Sequence, residues 1–225
     1  MGHHSNRGRF ITFEGGEGTG KSTQAAALSK QLEQNGRATR ITREPGGSDF
    51  AERVRKFILD PTVPDHPPLS EALLFFAARA DHLATLIRPS LEDGIWVVCD
   101  RFSDSTRAYQ GAAGGLPDNI VTELENIVVA ETAPDLTIIL DLPVDIAFAR
   151  VAARRQPDGT HTTQQPDPYE SRNMKFHERL RQGFLDIAAA APERCVVIDA
   201  SANKEAISRA VWQAVTTRLL PGETS

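Results

Sequence analysis

Eight consecutive residues, Gly15-Gly16-Glu17-Gly18-Thr19-Gly20-Lys21-Ser22, follow the pattern GxxxxGK[ST] and constrain this chain more than any other feature. They sit between a short apolar run, residues 9–14, and a segment of helical composition, 21–35, that stops at Gly36. In that setting the glycines let the backbone curl so that successive N–H groups face phosphate oxygens, and the helix N-terminus adds partial positive charge. Lys21 is expected to reach the β- and γ-phosphates of a bound nucleotide, Ser22 to ligate Mg2+, and Gly15, Gly16, Glu17, Gly18, Thr19, Gly20 and Thr23 to complete the nucleotide-binding loop.

The rest of the chain repeats that alternation of strand and helix. Short apolar runs recur at 37–43, 95–100, 136–141 and 195–199, and the spacing predicts helices over 49–59, 69–92 (bent near Pro89), 118–131, 144–155, 169–191 and 204–219. Five strands separated by helices imply an α/β, three-layer P-loop NTPase fold: one five-stranded parallel sheet with helices on both faces. Residues 1–225 read as a single domain, with 1–8 a flexible tail and a mobile lid at about 154–170, where Gly, Pro, Thr, Gln and Asp leave almost nothing apolar. No apolar stretch approaches the roughly 20 residues that span a bilayer, and the N-terminus lacks a secretory pattern. Cys99 and Cys195 lie in apolar runs, as buried thiols of a reducing compartment do, so a cytoplasmic location is expected. The net charge of −5 argues against a large nucleic-acid surface.

A phosphate-binding loop alone specifies nucleotide binding, not a reaction. Asp100 ends the third apolar run, where an acid can help hold Mg2+ through its waters, or simply cap the next helix. Phe75 and Arg79, four apart on a predicted helix, share one face, which suits a flat base needing an aromatic surface and a donor; core packing is the alternative for Phe75. Arg55 and Arg101 are the candidate forks for an acceptor phosphate, since guanidinium binds phosphate bidentately and keeps its charge. Ser105, Thr106, Tyr109 and Gln110 follow at helical spacing.

Four separated segments occur in order: Phe13 through Thr23; Arg43-Glu44-Pro45-Gly46-Gly47; Phe75-Phe76-Ala77-Ala78-Arg79-Ala80-Asp81-His82; and Asp100-Arg101-Phe102 through Gly111. Together they resemble thymidylate kinase, especially its bacterial form, over nearly the whole chain. The resemblance implies transfer of the ATP γ-phosphoryl group to dTMP, giving dTDP and ADP, with Mg2+ as the ion and a homodimer as the assembly. It implies that Phe75 stacks on thymine, that Arg79 donates to O4, and that Arg55 and Arg101 bind the acceptor phosphate. It further implies that Glu17 faces the 3′-OH, that Ser105, Thr106, Tyr109 and Gln110 touch base and sugar, and that Glu44 either orients an acceptor-site group or serves the turn at Pro45.

The transferring phosphoryl group needs cationic stabilisation. Positions 16–19 hold no basic residue, so the resemblance points to the lid, entered by Arg150, Arg154 and Arg155 and left by Arg172; it implies that Arg150 and the loop residues 15–23 bind ATP and that Arg154 and then Arg155 act catalytically beside Lys21, Arg101 and Glu17. Where relatives often carry Asp-Arg-Phe-Glu, this chain has Asp167-Pro168-Tyr169-Glu170, and where they often have an arginine after Gln-Gly it has Gly111-Ala112-Ala113. His161 and His177 read as solvated surface residues. The competing readings are a kinase for another nucleoside monophosphate or a deoxynucleoside, and, from a different class, a nucleotide-driven switch or partitioning protein. The latter would need a water-orienting residue and a partner surface, and neither is identifiable.

Overall fold

The computed structural model describes residues 7–155 and 168–221, the side chains of Arg154 and Arg155 excepted. Its strands are β1 (Phe10–Glu14), β2 (Thr39–Arg43), β3 (Trp96–Asp100), β4 (Leu136–Asp141) and β5 (Cys195–Asp199). Its helices are α1 (Lys21–Gln34), α2 (Asp49–Ile58), α3 (Pro68–His82), α4 (Arg88–Glu92), α5 (Ser103–Thr106), α6 (Asp118–Val128), α7 (Val144–Arg155), α8 (Met174–Ala190) and α9 (Lys204–Leu219). All strand pairs are parallel, in the order β2-β3-β1-β4-β5.

The apolar runs are explained by burial on both faces. Every residue of β1 is buried. Ile11, Phe13, Val98 and Ile138 pack on Leu28 and Leu32 of α1 and on Ile207 and Val211 of α9. On the opposite face Phe10, Val97 and Cys99 meet Phe76 of α3 and Val121 of α6, while Ile139 meets Leu180 and Phe184 of α8. Each large apolar side chain buried this way contributes about 1.5–3 kcal/mol, so the central strands form a stiff frame. The register matters for function. Phe13 and Arg43 both stand level with Asp100, so the loops leaving β1, β2 and β3 converge at one edge of the sheet.

Three expectations change. The bend expected near Pro89 lies just before it, as a π-helical turn over Leu83–Ile87 between α3 and α4. Pro89 has no N–H for the Thr85 carbonyl and its ring crowds that carbonyl, so the turn widens. The helix expected from residue 169 starts at Met174, because Asn173 caps it by accepting the Phe176 N–H at 2.9 Å. The helix carrying Ser105 to Gln110 changes at Arg107 from α5 into a second π-helical turn, Arg107–Ala113.

Candidate active site

The phosphate-binding loop leaves β1 through Gly15, at φ 131°, where an added Cβ would lie 2.5 Å from the Leu140 carbonyl oxygen. Only glycine combines that backbone with that approach. Gly20 precedes α1 in the left-handed region and no side chain caps the helix, so its first N–H groups remain available to an anion. Lys21 is buried and donates to the Gly16 carbonyl at 2.7 Å. Burial, reinforced by Arg101 and only partly offset by Glu17, Asp100 and Glu14, brings its ammonium down to about 8.

Ser22 donates to the Oδ2 atom of Asp100, whose Oδ1 atom is buried and has no protein partner. A hydroxyl beside a carboxylate with a free oxygen is a hard-donor pair that fits Mg2+. Among the described residues no group of three or more His, Cys, Asp or Glu side chains converges to hold a metal unaided. Such an ion would therefore share its ligands with phosphate and water, the usual arrangement for Mg2+.

Arg101 follows β3 with φ 70°, a left-handed conformation uncommon for an arginine, and its N–H is tied to the Phe13 carbonyl at 2.9 Å. The side chain turns over the loop: Nη1 donates to the Gly15 carbonyl at 3.0 Å and to Ser105 at 3.3 Å, and Nη2 pairs with Glu17. Tyr109 donates its hydroxyl to the same Glu17 oxygen at 2.8 Å and lays its ring 5.0 Å from the Arg101 guanidinium. Burial alone would raise the Glu17 carboxyl, but Arg101, Lys21 and the Tyr109 hydroxyl hold it at about 2. Burial likewise opposes the charge of Arg101, yet Glu17 and other nearby anionic groups keep it more firmly protonated than an ordinary arginine.

Arg79 of α3 is almost wholly buried. Its Nε donates to Glu44 at 2.7 Å, and its Nη2 to the Phe102 carbonyl at 3.1 Å and to Thr106 at 3.2 Å. Its Nη1 is buried without a protein partner, which marks an unfilled donor. Arg55 donates to the Pro45 carbonyl at 2.9 Å. The Phe75 ring lies 6.2 Å from that of Tyr169, and Gln110 donates to Glu71 at 3.0 Å.

One cleft of about 450 Å³ brings these groups together. Its wall includes Glu17, Gly18, Gly20, Lys21, Ser22 and Thr23 of the loop, Asp100 and Arg101 after β3, and Glu44, Arg55, Phe75, Arg79, Ser105, Thr106, Tyr109 and Gln110 opposite. Gly15, Gly16 and Thr19 instead line a smaller cavity of about 130 Å³ behind the loop. Arg150 donates at 2.9 Å to the carbonyl of Ala200, beyond β5, and does not line the cleft. The side chains of Arg154 and Arg155, with residues 156–167 of the expected lid, His161 and the tail 1–6, lie outside the described residues. Arg172 reaches Glu71 at 3.4 Å.

Several contributors escaped the sequence reading. Glu14, fully buried, accepts the Phe102 N–H at 2.7 Å and the Ser105 hydroxyl at 2.6 Å; burial, then Asp104, push its carboxyl up to about 7. An acid closing an apolar strand was its only signal. Asp104 on α5 receives a two-pronged guanidinium from Arg194 at 2.6 and 2.9 Å, and Arg194 also reaches Thr137 at 2.9 Å. Tyr169 lines the cleft because the turn before α8 folds it inward. His177 corrects the surface expectation: it is buried, its ring edge-on to Phe148 at 4.9 Å, and burial lowers its imidazole pKa despite nearby Glu17.

The thymidylate kinase family model matches residues 13–211. A thymidylate kinase of Bradyrhizobium diazoefficiens is 49% identical over 221 residues, 98% of this chain and 94% of the relative. One of Rhodopseudomonas palustris is 51% identical over 97% of this chain and 93% of its own length. The crystal structure of thymidylate kinase from Ehrlichia chaffeensis superposes with a TM-score of 0.72 at 33% identity, covering 93% of this chain and 99% of that one.

Proposed function

The chain belongs to the thymidylate kinase family, and we propose that it passes the ATP γ-phosphoryl group to dTMP within the single cleft that joins Lys21 to Arg79. The observation that carries this reading is the buried, unpartnered Nη1 of Arg79, a residue that lines the same cleft as Lys21 and Ser22. A guanidinium has donors only, so the base edge it meets must present an acceptor, as thymine does at O4. Phe75, with Tyr169 and Tyr109 nearby, supplies the aromatic surroundings.

Donor phosphates occupy the loop and the N-terminus of α1, where Lys21 exchanges the Gly16 carbonyl for phosphate oxygens. Ser22 and Asp100 would hold Mg2+, which when bound neutralises charge on the donor phosphates. Arg101 and Arg55 orient the acceptor phosphate. Glu17, ionised and tied to Arg101 and Tyr109, faces the deoxyribose. Since residues 16–19 hold no cation, Arg154 and Arg155 at the end of α7 supply positive charge to the transferring group. No covalent intermediate is required; positioning and charge neutralisation carry the reaction.

We assign the protein to the cytoplasm on its two free buried thiols, Cys99 and Cys195, and no described helix is long and apolar enough to cross a membrane. A homodimer fits the exposed apolar side chains Phe50, Leu73 and Ile127 on α2, α3 and α6, helices that pack against one another through α3. The test is a coupled assay of ADP release with a panel of nucleoside monophosphates. ADP release that depends on dTMP, and far less on dCMP, dGMP or dAMP, is expected; ATP consumption indifferent to the monophosphate would overturn the reading.

A further inference from the structure

His82, the last residue of α3, is fully buried and none of the roles above uses it. Its Nδ1 lies 3.0 Å from Glu44 Oε1, and its Nε2 lies 2.7 Å from the Thr42 hydroxyl at the end of β2. The other Glu44 oxygen accepts Arg79 Nε at 2.7 Å. Thr42, His82, Glu44 and Arg79 thus form one unbroken buried line from the sheet to the acceptor end of the cleft. With the ring proton on Nδ1 the line closes: Thr42 donates to Nε2, Nδ1–H donates to one Glu44 oxygen, and Arg79 Nε donates to the other.

The line is also packed from outside. Gly47, at φ 85°, lies so close that an added Cβ would sit 2.3 Å from His82 Nε2 and 2.5 Å from Thr42 Oγ1. The Arg79 guanidinium lies over the Phe76 ring at 4.6 Å and near the Phe102 ring at 5.2 Å, so its plane cannot swing freely. With Nε held by Glu44 and Nη2 by the Phe102 carbonyl and Thr106, the direction of Nη1 depends on where Glu44 is held together with those two anchors.

We propose that His82 is a positioning residue for base selection: braced by Thr42, it fixes Glu44, and through Glu44 it aims Arg79 Nη1 at the acceptor atom of the incoming base. The inference rests on the reading of Arg79 as the base-edge donor. It deepens that reading by tracing pyrimidine choice to a side chain that touches no substrate. A base bearing an amino group in place of O4, as in dCMP, meets a donor fixed against it.

The test uses the full chain and the variants His82→Leu, Thr42→Val, His82→Asn and Arg79→Lys. KM is measured for dTMP and ATP, kcat/KM for dTMP and dCMP, and the melting midpoint for each variant. His82→Leu leaves Glu44 Oε1 and Thr42 unpaired, and is expected to raise KM for dTMP and lower the dTMP/dCMP preference by about tenfold, the scale of one buried hydrogen bond lost. KM for ATP should stay within about twofold, because the donor end is untouched. Thr42→Val, which keeps the imidazole and nearly the same volume, should move both quantities the same way by about threefold. His82→Asn, which retains a donor toward Glu44, should recover most of the preference. If Arg79→Lys collapses the preference while His82→Leu and Thr42→Val leave it unchanged, the proposal is wrong and the reading of Arg79 stands. If Arg79→Lys also leaves it unchanged, the reading of Arg79 itself has failed. A uniform fall in kcat and rise in both KM values, tracking the melting midpoint, shows a structural role only and overturns the proposal; should His82→Leu not fold, Thr42→Val and His82→Asn decide.

Discussion

Glu17 and Arg101 pair across the cleft, so the phosphate-binding loop and the loop after β3 are joined by one carboxylate, which Tyr109 also reaches at 2.8 Å. The two loops are therefore mechanically coupled through Glu17. Tyr109→Phe removes one arm of that junction and keeps the ring over Arg101. A neutral-to-charged hydrogen bond of this kind contributes about 1.5–3 kcal/mol, so kcat/KM for dTMP is expected to fall by roughly ten- to a hundredfold. Steady-state kinetics with ATP saturating check this; a loss confined to KM for ATP contradicts it.

Lys21→Ala should lower kcat by at least about 10²–10³, the scale of removing one fixed charge-stabilising donor, with the melting midpoint almost unchanged. The pH profile is more discriminating. Lys21 must be charged to meet phosphate, and in the free protein burial brings it to about 8. The value of kcat/KM for ATP should therefore decline as pH rises through about 8. The decline in kcat should lie at higher pH, because bound phosphates favour the ammonium.

Glu14 carries a stability signature. Its folded pKa of about 7 stands above the ordinary carboxylate value, so between the two the folded state binds more protons than the unfolded one. Its contribution is then fully present below the unfolded pKa and is lost as pH rises through about 7. Glu14→Gln, which keeps an acceptor for the Phe102 N–H and a group for Ser105, should remove that slope. Wild-type and variant melting midpoints should run close at pH 5 and separate by pH 8 in favour of the variant.

Gly47→Ala places a methyl where the Thr42–His82 hydrogen bond lies, on a backbone with φ 85°. Strain of that kind costs about 1–3 kcal/mol, and the displaced pair adds the loss of a buried hydrogen bond. The melting midpoint should fall by several degrees, and KM for dTMP should rise more than KM for ATP. Thermal denaturation and two-substrate kinetics measure both effects.

Arg154→Ala and Arg155→Ala address the charge that residues 16–19 do not provide. Loss of the arginine that stabilises the transferring group should cost about 10³–10⁵ in kcat, with smaller effects on either KM. Two variants within about threefold of wild type would assign that charge to other residues.

The architecture was legible because its evidence is local and periodic. Apolar runs such as 136–141 become fully sandwiched strands, and GxxxxGK[ST] falls between strand and helix as it must. The segments that carry the resemblance lie far apart in sequence, and residues of each line one cleft. What stayed hidden depends on contacts between distant residues. Nothing in the sequence around His177 says that Phe148 covers it, and nothing near Arg194 says that it reaches Asp104. Glu14 looked like the polar end of a strand because its partners come from residues 102 and 105. The helix expected from 169 failed for a local reason: a capping asparagine at 173 outcompeted the helical pattern ahead of it.

The Arg194–Asp104 pair has a consequence for the order in which the molecule can be completed. Asp104 sits on the short helix whose neighbours Ser105 and Thr106 bind Arg101 and Arg79, yet its anchor is supplied from just before the last strand of the sheet. A ribosome therefore exposes the whole phosphate-binding loop long before the residue that steadies the opposite wall. Contacts so far apart in sequence also close slowly, because the chain entropy of a long loop must be overcome first. The loop's own supports come late as well, since α1 packs on Ile207 and Val211 of α9, so both walls of the cleft become firm only when nearly all of the polypeptide has emerged.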